Sequence, residues 1–507
     1  MSRKIAVIGG GFAGLSAACE LANAGCTVTL FEKNETTGGR ARSFAQAGFT
    51  FDMGPSWYWM PEVFQEFFER YNRQTSDFYD LIRLDPSYKV IFEDGEEINV
   101  PANLEELKSL LEQWESGAGK QLDAFLAEAK VKYDIGMGEF VWKPSLSITE
   151  FFQLKVLTQG IKLQLLGNMK SHLRRFFSHP KILKLLEFPV LFLGAKPSDT
   201  PALYSLMNYA DIQLGTWYPM GGMTKIPEAM TELAMSLGVT IRCGAEVKKI
   251  NVQNKRAQSI HVNNEVLEFD AIIAAGDYHH IETKLLDESH RKYSTNYWDN
   301  RTMAPSSLIY YLGINKKIAG LLHHNLFFDR DFEVHASEIY DEPKWPSAPL
   351  FYACVPSKTD PEVAPEGSEN IFILIPVAPG MESTEELREH YLKDCIERLE
   401  RKTGESIAPH IVYKRSYAHE DFQRDYFSFK GNAYGLANTL RQTAFLKPRM
   451  KNNKVDNLYY AGQLTVPGPG VPPSIISGLV AANLCLKELN VRKMAITTLS
   501  NDKRSRA

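Results

Sequence analysis

The 507 residues set 57 Lys and Arg against 61 Asp and Glu, a formal net charge of −4 with a pI near 6.3, so the chain lacks the basic field that nucleic-acid binding requires. With 44% hydrophobic and 23% charged residues it has ample material for a core, and its length predicts two or three interleaved domains. No apolar run is long enough to span a bilayer, so contact with a membrane is expected from one side only.

Met1-Ser2-Arg3-Lys4 leads straight into an apolar strand, and no cleaved leader is expected. Residues 4–14, KIAVIGGGFAG, then place Gly9, Gly11 and Gly14 in G-x-G-x-x-G spacing, with Phe12 and Ala13 between the last two. That pattern predicts a strand, a tight turn and a helix whose free N–H groups and positive dipole end face a pyrophosphate. Leu15, Ala18, Cys19 and Ala22 give the helix an apolar face, and Gly25 is placed to end it. A second strand over residues 27–31 delivers Glu32, followed by Lys33, about 20 residues past the glycines, where a carboxylate can accept hydrogen bonds from ribose hydroxyls. Gly38-Gly39-Arg40 adds a flexible turn and a guanidinium for phosphate oxygens. The continuation GFTFDMGPSWYWM, residues 48–60, resembles flavin oxidoreductases rather than nicotinamide dehydrogenases.

Further on, residues 62–71 read as a helix with Phe64, Phe67 and Phe68 on one side. Residues 88–100 alternate around Asp94-Gly95 as the first hairpin of a second sheet, and 104–114 and 121–133 read as amphipathic helices. The segment 142–196 differs from its surroundings. Between Lys143 and Lys184, the cations Lys143, Lys155, Lys162, Lys170, Arg174, Arg175, Lys181 and Lys184 are offset by Glu150 alone and interleaved with Phe151, Phe152, Leu154, Leu157, Leu163, Leu165, Leu166, Phe176, Phe177, Ile182, Leu183 and Leu186. Two readings stand there: a basic, apolar interfacial surface for anionic lipid, or a helical cap whose apolar face is internal.

Residues 226–237 read as a helix after the Gly221-Gly222 turn, 239–253 as one strand, then a hairpin around Asn263-Asn264 and a strand ending at Asp277. His279-His280 reads as a helix start behind Asp277 rather than a metal pair. Runs at 306–313, 325–328, 350–355, 371–377 and 410–417 complete the second sheet, interrupted by a helix over 384–401. Residues 456–486 give a short strand into Gly462, a Pro- and Gly-rich turn and a helix whose first N–H groups could face a flavin's pyrimidine edge. The tail beyond Val491 is polar and basic. The six cysteines are scattered without C-x-x-C spacing, which fits a reduced cytoplasmic protein and offers no metal set.

With both ends read, the chain resembles the bacterial phytoene desaturase family of carotenoid desaturases, within the wider amine-oxidase-like FAD flavoproteins. IAVIGGGFAGLSAA, FDMGPSWYWMP, NYADIQLGTWYPMGGM and YYAGQLTVPGPGVPPSIISG carry the likeness, and the GPSWYWMP and FLGAKPSDTP forms are similar to Bacteroidetes-type members. The resemblance implies an α/β fold: a Rossmann-like FAD-binding domain, an interleaved mixed-sheet substrate domain and a helical, membrane-facing cap. Its parts are expected at 1–85, 225–285 and 451–490 for FAD binding, 86–140, 206–224 and 286–450 for the substrate domain, 141–205 for the cap and 491–507 for a tail. It further implies FAD contacts at Gly9, Gly11, Phe12, Ala13, Gly14, Glu32, Lys33, Gly39, Arg40, Gly462, Gln463 and the backbone of Val247.

Phytoene offers no charged handle, so recognition would rest on an apolar channel, for which Trp57, Tyr58, Trp59 and Met60 are the candidates. The expected reaction is hydride transfer from an allylic carbon to FAD with loss of a neighbouring proton; no side chain stands out as its base. The expected partners are a membrane-held carotenoid and oxygen or a quinone as electron acceptor, with the protein attached peripherally to the inner face of the cell membrane. A hydroxycarotenoid 3,4-desaturase, a C30 desaturase and a non-enzymatic prenyl-binding protein of GDP-dissociation-inhibitor type are the alternatives.

Overall fold

The structure is a computed structural model that describes residues 2–146, 167–191, 194–439 and 441–491. Its first sheet is wholly parallel and takes strands from three distant parts of the chain, in the order Leu458–Tyr460, Ala271–Ala274, Lys4–Ile8, Thr27–Phe31, Thr240–Arg242. These strands are short apolar runs because both of their faces are covered. Ile5, Val7, Val28 and Leu30 join the core formed with helices Phe12–Asn23, Lys225–Ser236 and Val471–Glu488. Ala6, Ile8, Ile272 and Ala274 face the other way, into a core shared with the antiparallel sheet of Val247–Gln253, Arg256–Val262 and Glu265–Glu268. The alternation is the period of two that a strand imposes.

Residues 239–253 form two strands, not the single one expected. Gly244, at φ +62°, turns the chain between them, and the Gly244 and Ala245 N–H groups donate to the carbonyls of Asn34 (2.9 Å) and Glu32 (2.8 Å). This turn carries Ala245 to Val247 across the carboxyl end of the Glu32 strand and into the second sheet.

The large sheet has seven strands in the order Ile411–Tyr417, Ser306–Ile314, Glu369–Val377, Phe351–Cys354, His324–Phe328, Tyr88–Phe92, Glu97–Val100. It unites the five late runs with the Asp94-Gly95 hairpin, and only His324–Phe328 and Tyr88–Phe92 pair in parallel. One face is closed by helix Glu385–Thr403, started by the Thr384 hydroxyl accepting from the Leu387 N–H and ended by Gly404 at φ +69°. The other face turns towards the cap and the first sheet.

In the described part of the cap, helix Pro180–Leu191 buries Ile182, Leu183, Leu186 and Phe188. Its basic residues meet acids of other elements: Lys170 with Glu333, Arg174 with Glu187, Arg175 with Glu128, Lys181 with Asp94 and Glu96, Lys184 with Glu93, and Lys196 with Asp341. This portion packs as an internal cap. Phe151 to Leu166, with Lys155 and Lys162, and the tail beyond Val491 lie outside the described residues. Among the described residues no helix is long and apolar enough to cross a membrane.

Candidate cofactor and substrate site

The carboxyl ends of Lys4–Ile8, Thr27–Phe31 and Ala271–Ala274 converge on a cleft of about 1080 Å³ including its open mouth. Gly9 makes the turn at φ +104°, a conformation an L-residue resists, and its own missing side chain lets Ala275 pass at van der Waals distance. A Cβ on Gly14 would lie 1.9 Å from the Gly9 carbonyl oxygen, so that glycine holds the helix against the turn rather than facing the cleft. Gly11 is different: a Cβ there would project towards nothing nearer than Gly39 Cα at 3.9 Å. Gly39, at φ +55°, approaches it from the second glycine turn, which is locked on by the Gly38 N–H donating to the Gly10 carbonyl at 2.8 Å. Two backbone turns thus face each other with side-chain space left free between them, the cradle a pyrophosphate fits.

Glu32 is buried at the far edge of this cradle. Its Oε2 accepts from the Gly10 N–H (2.8 Å) and its Oε1 from the backbone and side-chain N–H groups of Asn34 (2.8 Å each). Oε2, which accepts only once, keeps a further lone pair for a ribose hydroxyl. Lys33 donates to the Arg424 carbonyl and lies 3.9 Å from the Phe427 ring centre, which turns its ammonium to the rim. Val247 lines the same wall through the Gly244 turn.

Arg40 is the cation of the cleft. Its Nη2 donates to Ser428 Oγ at 3.0 Å and to the Asn432 carbonyl at 3.4 Å, and the guanidinium lies 5.0 Å from the Tyr426 ring. Nε is buried with no partner, and burial pulls the guanidinium pKa below its ordinary value. A phosphate oxygen meets both deficits. Asp277 supports it from the end of the returning strand; burial raises that carboxyl to about 6, against hydrogen bonds from the His280 and Phe429 N–H groups. As the spacing suggests, Asp277 starts helix Tyr278–His280; the His280 ring lies flat on Phe427, centroids 4.0 Å apart, as one wall of the cleft.

Gly462 and Gln463 close the other end. The Gly462 N–H donates to Ser477 Oγ at 2.9 Å, Gln463 Nε2 donates to Asn432 Oδ1 at 3.3 Å, and helix Val471–Glu488 presents its N-terminal turn with Ser474 on the cleft wall. Gly9, Gly11, Phe12, Ala13, Glu32, Lys33, Gly39, Arg40, Val247, Gly462 and Gln463 line one cleft; Gly14 stands behind it. Asp277, His280, Tyr426 and Phe427 line it too and carried no motif. Asp277 was legible in principle, since it follows a strand paired with the glycine strand. Tyr426 and Phe427 arrive from a helix some 150 residues later in the chain and gave no local signal.

A second, apolar cavity of about 750 Å³ lies between the cap and the large sheet, walled by Phe188, Leu326, Phe328, Phe332, Ile339, Tyr352 and Leu374. Among the described residues no Asp, Glu, Lys or Arg lines it, and burial lowers the pKa of His335 to about 4, so its described walls carry no charge at neutral pH. Of the aromatic run, Trp57 packs on two of its walls, 5.5 Å from Phe188 and 5.6 Å from Tyr352 between ring centres. Trp59 also meets the Phe188 wall edge-on, 6.2 Å between ring centres, whereas Tyr58 and Met60 serve the core. Tyr58 stacks on Phe64 with its hydroxyl 3.0 Å from that of Tyr79, Trp59 Nε1 donates to Thr216 Oγ1 at 2.8 Å, and Met60 is buried at φ +60° before helix Pro61–Glu69.

Comparison with known proteins agrees with this geometry. Residues 12–486 match the family of flavin containing amine oxidoreductases. The chain is 40% identical over 486 residues to a carotenoid 3,4-desaturase of Haloarcula japonica, covering 96% of this chain and 98% of that one. It is 32% identical over 498 residues to a 4,4'-diapophytoene desaturase of Staphylococcus aureus, covering 96% and 99% respectively. The fold is similar to that of putrescine oxidase bound to putrescine, with a TM-score of 0.60 at 14% identity over 97% of this chain and 100% of the other. The flavin family displaces the non-enzymatic prenyl-binding alternative. A glycine cradle, a ribose acid, a buried arginine and full-length similarity to two desaturases lead to one assignment: this chain is an FAD-dependent oxidoreductase of the flavin-containing amine oxidoreductase family and, within it, a carotenoid desaturase.

Proposed function

We propose that the enzyme desaturates phytoene towards lycopene. The observation that carries this reading is the cavity behind Trp57, whose described walls are apolar and uncharged and suit a hydrocarbon with no polar handle. When bound, FAD supplies the hydride acceptor that no side chain can. Gly11, Gly39 and Arg40 would hold its pyrophosphate and Glu32 its ribose, while Phe188, Trp57 and Tyr352 would exclude water from the polyene. The substrate gives up a hydride from one allylic carbon and a proton from its neighbour. A second reading, 3,4-desaturation of a hydroxylated carotenoid, is favoured by the 40% identity to the Haloarcula japonica enzyme.

The substrate dissolves in lipid, so the reading includes peripheral attachment to the inner face of the cell membrane. It draws on the composition of residues 147–166, since Lys170, Lys181 and Lys196 of the cap are ion-paired within the fold. Oxygen or a quinone regenerates the cofactor. The test supplies phytoene, a C30 analogue or a hydroxylated carotenoid in liposomes with FAD, with and without oxygen or quinone, and identifies products by chromatography. Conjugated products from phytoene at the highest kcat/KM support the proposal. Turnover of the hydroxylated carotenoid alone gives the second reading its place, and deletion of 147–166 without loss of liposome binding removes the membrane arm.

A further inference from the structure

One buried cluster on the large sheet is used by neither flavin nor polyene. His324 opens strand His324–Phe328 and is the register partner of Cys354 on the neighbouring antiparallel strand. His323 precedes it, tied to the same neighbour through its carbonyl, which accepts from the Val355 N–H at 2.8 Å. The pairing gathers two imidazoles and a thiol: one ring nitrogen of each histidine and Cys354 Sγ all lie within 4.8 Å of one another, and all three residues are buried.

Each ring is anchored through Nδ1, His323 to Thr359 Oγ1 at 2.8 Å and His324 to Tyr352 Oη at 2.6 Å. The His324 ring also lies flat against Trp57, 4.1 Å away. The remaining nitrogen, Nε2, is buried and without a hydrogen-bond partner on both rings. Two buried imidazole nitrogens without a partner are costly unless something meets them. A cavity of about 360 Å³, bordered by His323, Cys354, Asp52 and Ser56, adjoins the cluster and has room for a water.

We propose that His323, His324 and Cys354 bind a divalent transition metal of the zinc type, which pins the two strands behind the substrate cavity. Two nitrogens and one sulfur select zinc or cobalt over magnesium or calcium, which take oxygen ligands. With Nδ1–H donated to Thr359 and Tyr352, each Nε2 keeps a lone pair for the metal, the usual outer-shell arrangement of a metal-bound histidine. Metal binding would draw the ligand atoms to the roughly 3.3–3.8 Å separations of a tetrahedral zinc site. Binding forms the metal–Sγ bond and releases the thiol proton to solvent, and water from the adjoining cavity completes the coordination.

The test uses the flavin-loaded enzyme from cells grown with added zinc or cobalt, dialysed against EDTA, and assayed for metal by mass spectrometry. The expected result is about one metal per chain, with a near-ultraviolet thiolate-to-cobalt absorption band. Cys354→Ser should lose the band and His323→Gln should retain at least about tenfold less metal, both with flavin content intact. A flavin-loaded wild type with only trace metal, or a cobalt form without the thiolate band, overturns the proposal and leaves a water between the rings. Metal retained equally by wild type and variants also overturns it. Should both variants fail to hold flavin, the wild-type cobalt spectrum decides alone.

Discussion

A methyl group on Gly14 would meet the Gly9 carbonyl oxygen at 1.9 Å, whereas one on Gly11 would meet only Gly39 Cα at 3.9 Å. The two glycines therefore fail differently. Gly14→Ala should destabilise the protein by about 2–3 kcal/mol through overpacking, lowering the Tm of the flavin-free form. Gly11→Ala should leave that Tm unchanged and abolish flavin absorbance in the purified protein, because its methyl occupies cofactor space; flavin retained at wild-type levels would count against the cradle. Lys447 is a residue-scale feature of another kind: its ammonium is buried without a hydrogen-bond partner beside Gly468 and Asn438, and burial lowers its pKa to about 7. The unfolded chain keeps that proton to about pH 10.4, so between these values the unfolded state binds more protons and stability rises with pH. Lys447→Met should flatten that rise and add on the order of 2 kcal/mol at pH 7, discounted for local relaxation, as measured by urea unfolding at several pH values.

Between elements, the tightest joint is the crossing of helices Phe12–Asn23 and Val471–Glu488, where Ser16 Oγ donates to the Ile475 carbonyl at 2.6 Å. A Cβ on Gly478 would lie 2.1 Å from the Ala13 carbonyl oxygen. Gly478→Ala should thus part the glycine helix from the C-terminal helix, costing about 2–3 kcal/mol and weakening flavin affinity in an equilibrium titration, since both helices line the cleft. Elements with local punctuation were legible in the sequence: Gly25 ends the first helix at φ +86°, Gly95 turns the hairpin, and Thr384 and Gly404 bracket the long helix. What chain-distant partners decide was not. The 239–253 strand breaks because Gly244 docks on Asn34, and two readings of the cap stand open in the sequence because the acids that pair its described lysines, Asp94, Glu333 and Asp341, lie far along the chain. The aromatic run divides for a related reason: composition gives four large apolar residues, but Tyr58 and Met60 are committed to the core while Trp57 and Trp59 reach the cavity wall at Phe188.

Across the whole molecule, residues 49–57 thread between the two sheets and hold the cleft and the cavity in register. Phe49 fills the space left by Gly313, the Tyr311 hydroxyl donates to the Met53 carbonyl at 2.7 Å, and the Asp52 carboxylate accepts from the Met223 (2.8 Å) and Thr224 (3.1 Å) N–H groups. Burial raises the Asp52 carboxyl to about 7, with those two N–H donors holding it down. Flavin binding and substrate accommodation therefore belong to separate walls of one framework, and they can be separated by substitution. Ala336 lines the cavity from helix Phe332–Tyr340 and does not line the flavin cleft. Ala336→Phe adds volume to an apolar void, so the fold should gain dispersion contacts and its Tm should hold or rise. The same ring occupies the path of the polyene, and kcat/KM for carotenoid in liposomes should fall by at least about tenfold, about 1.4 kcal/mol of lost transition-state stabilisation. Flavin content should match wild type. A variant that turned over phytoene normally with the cavity filled would move the substrate path away from Phe188, Leu326 and Tyr352 altogether.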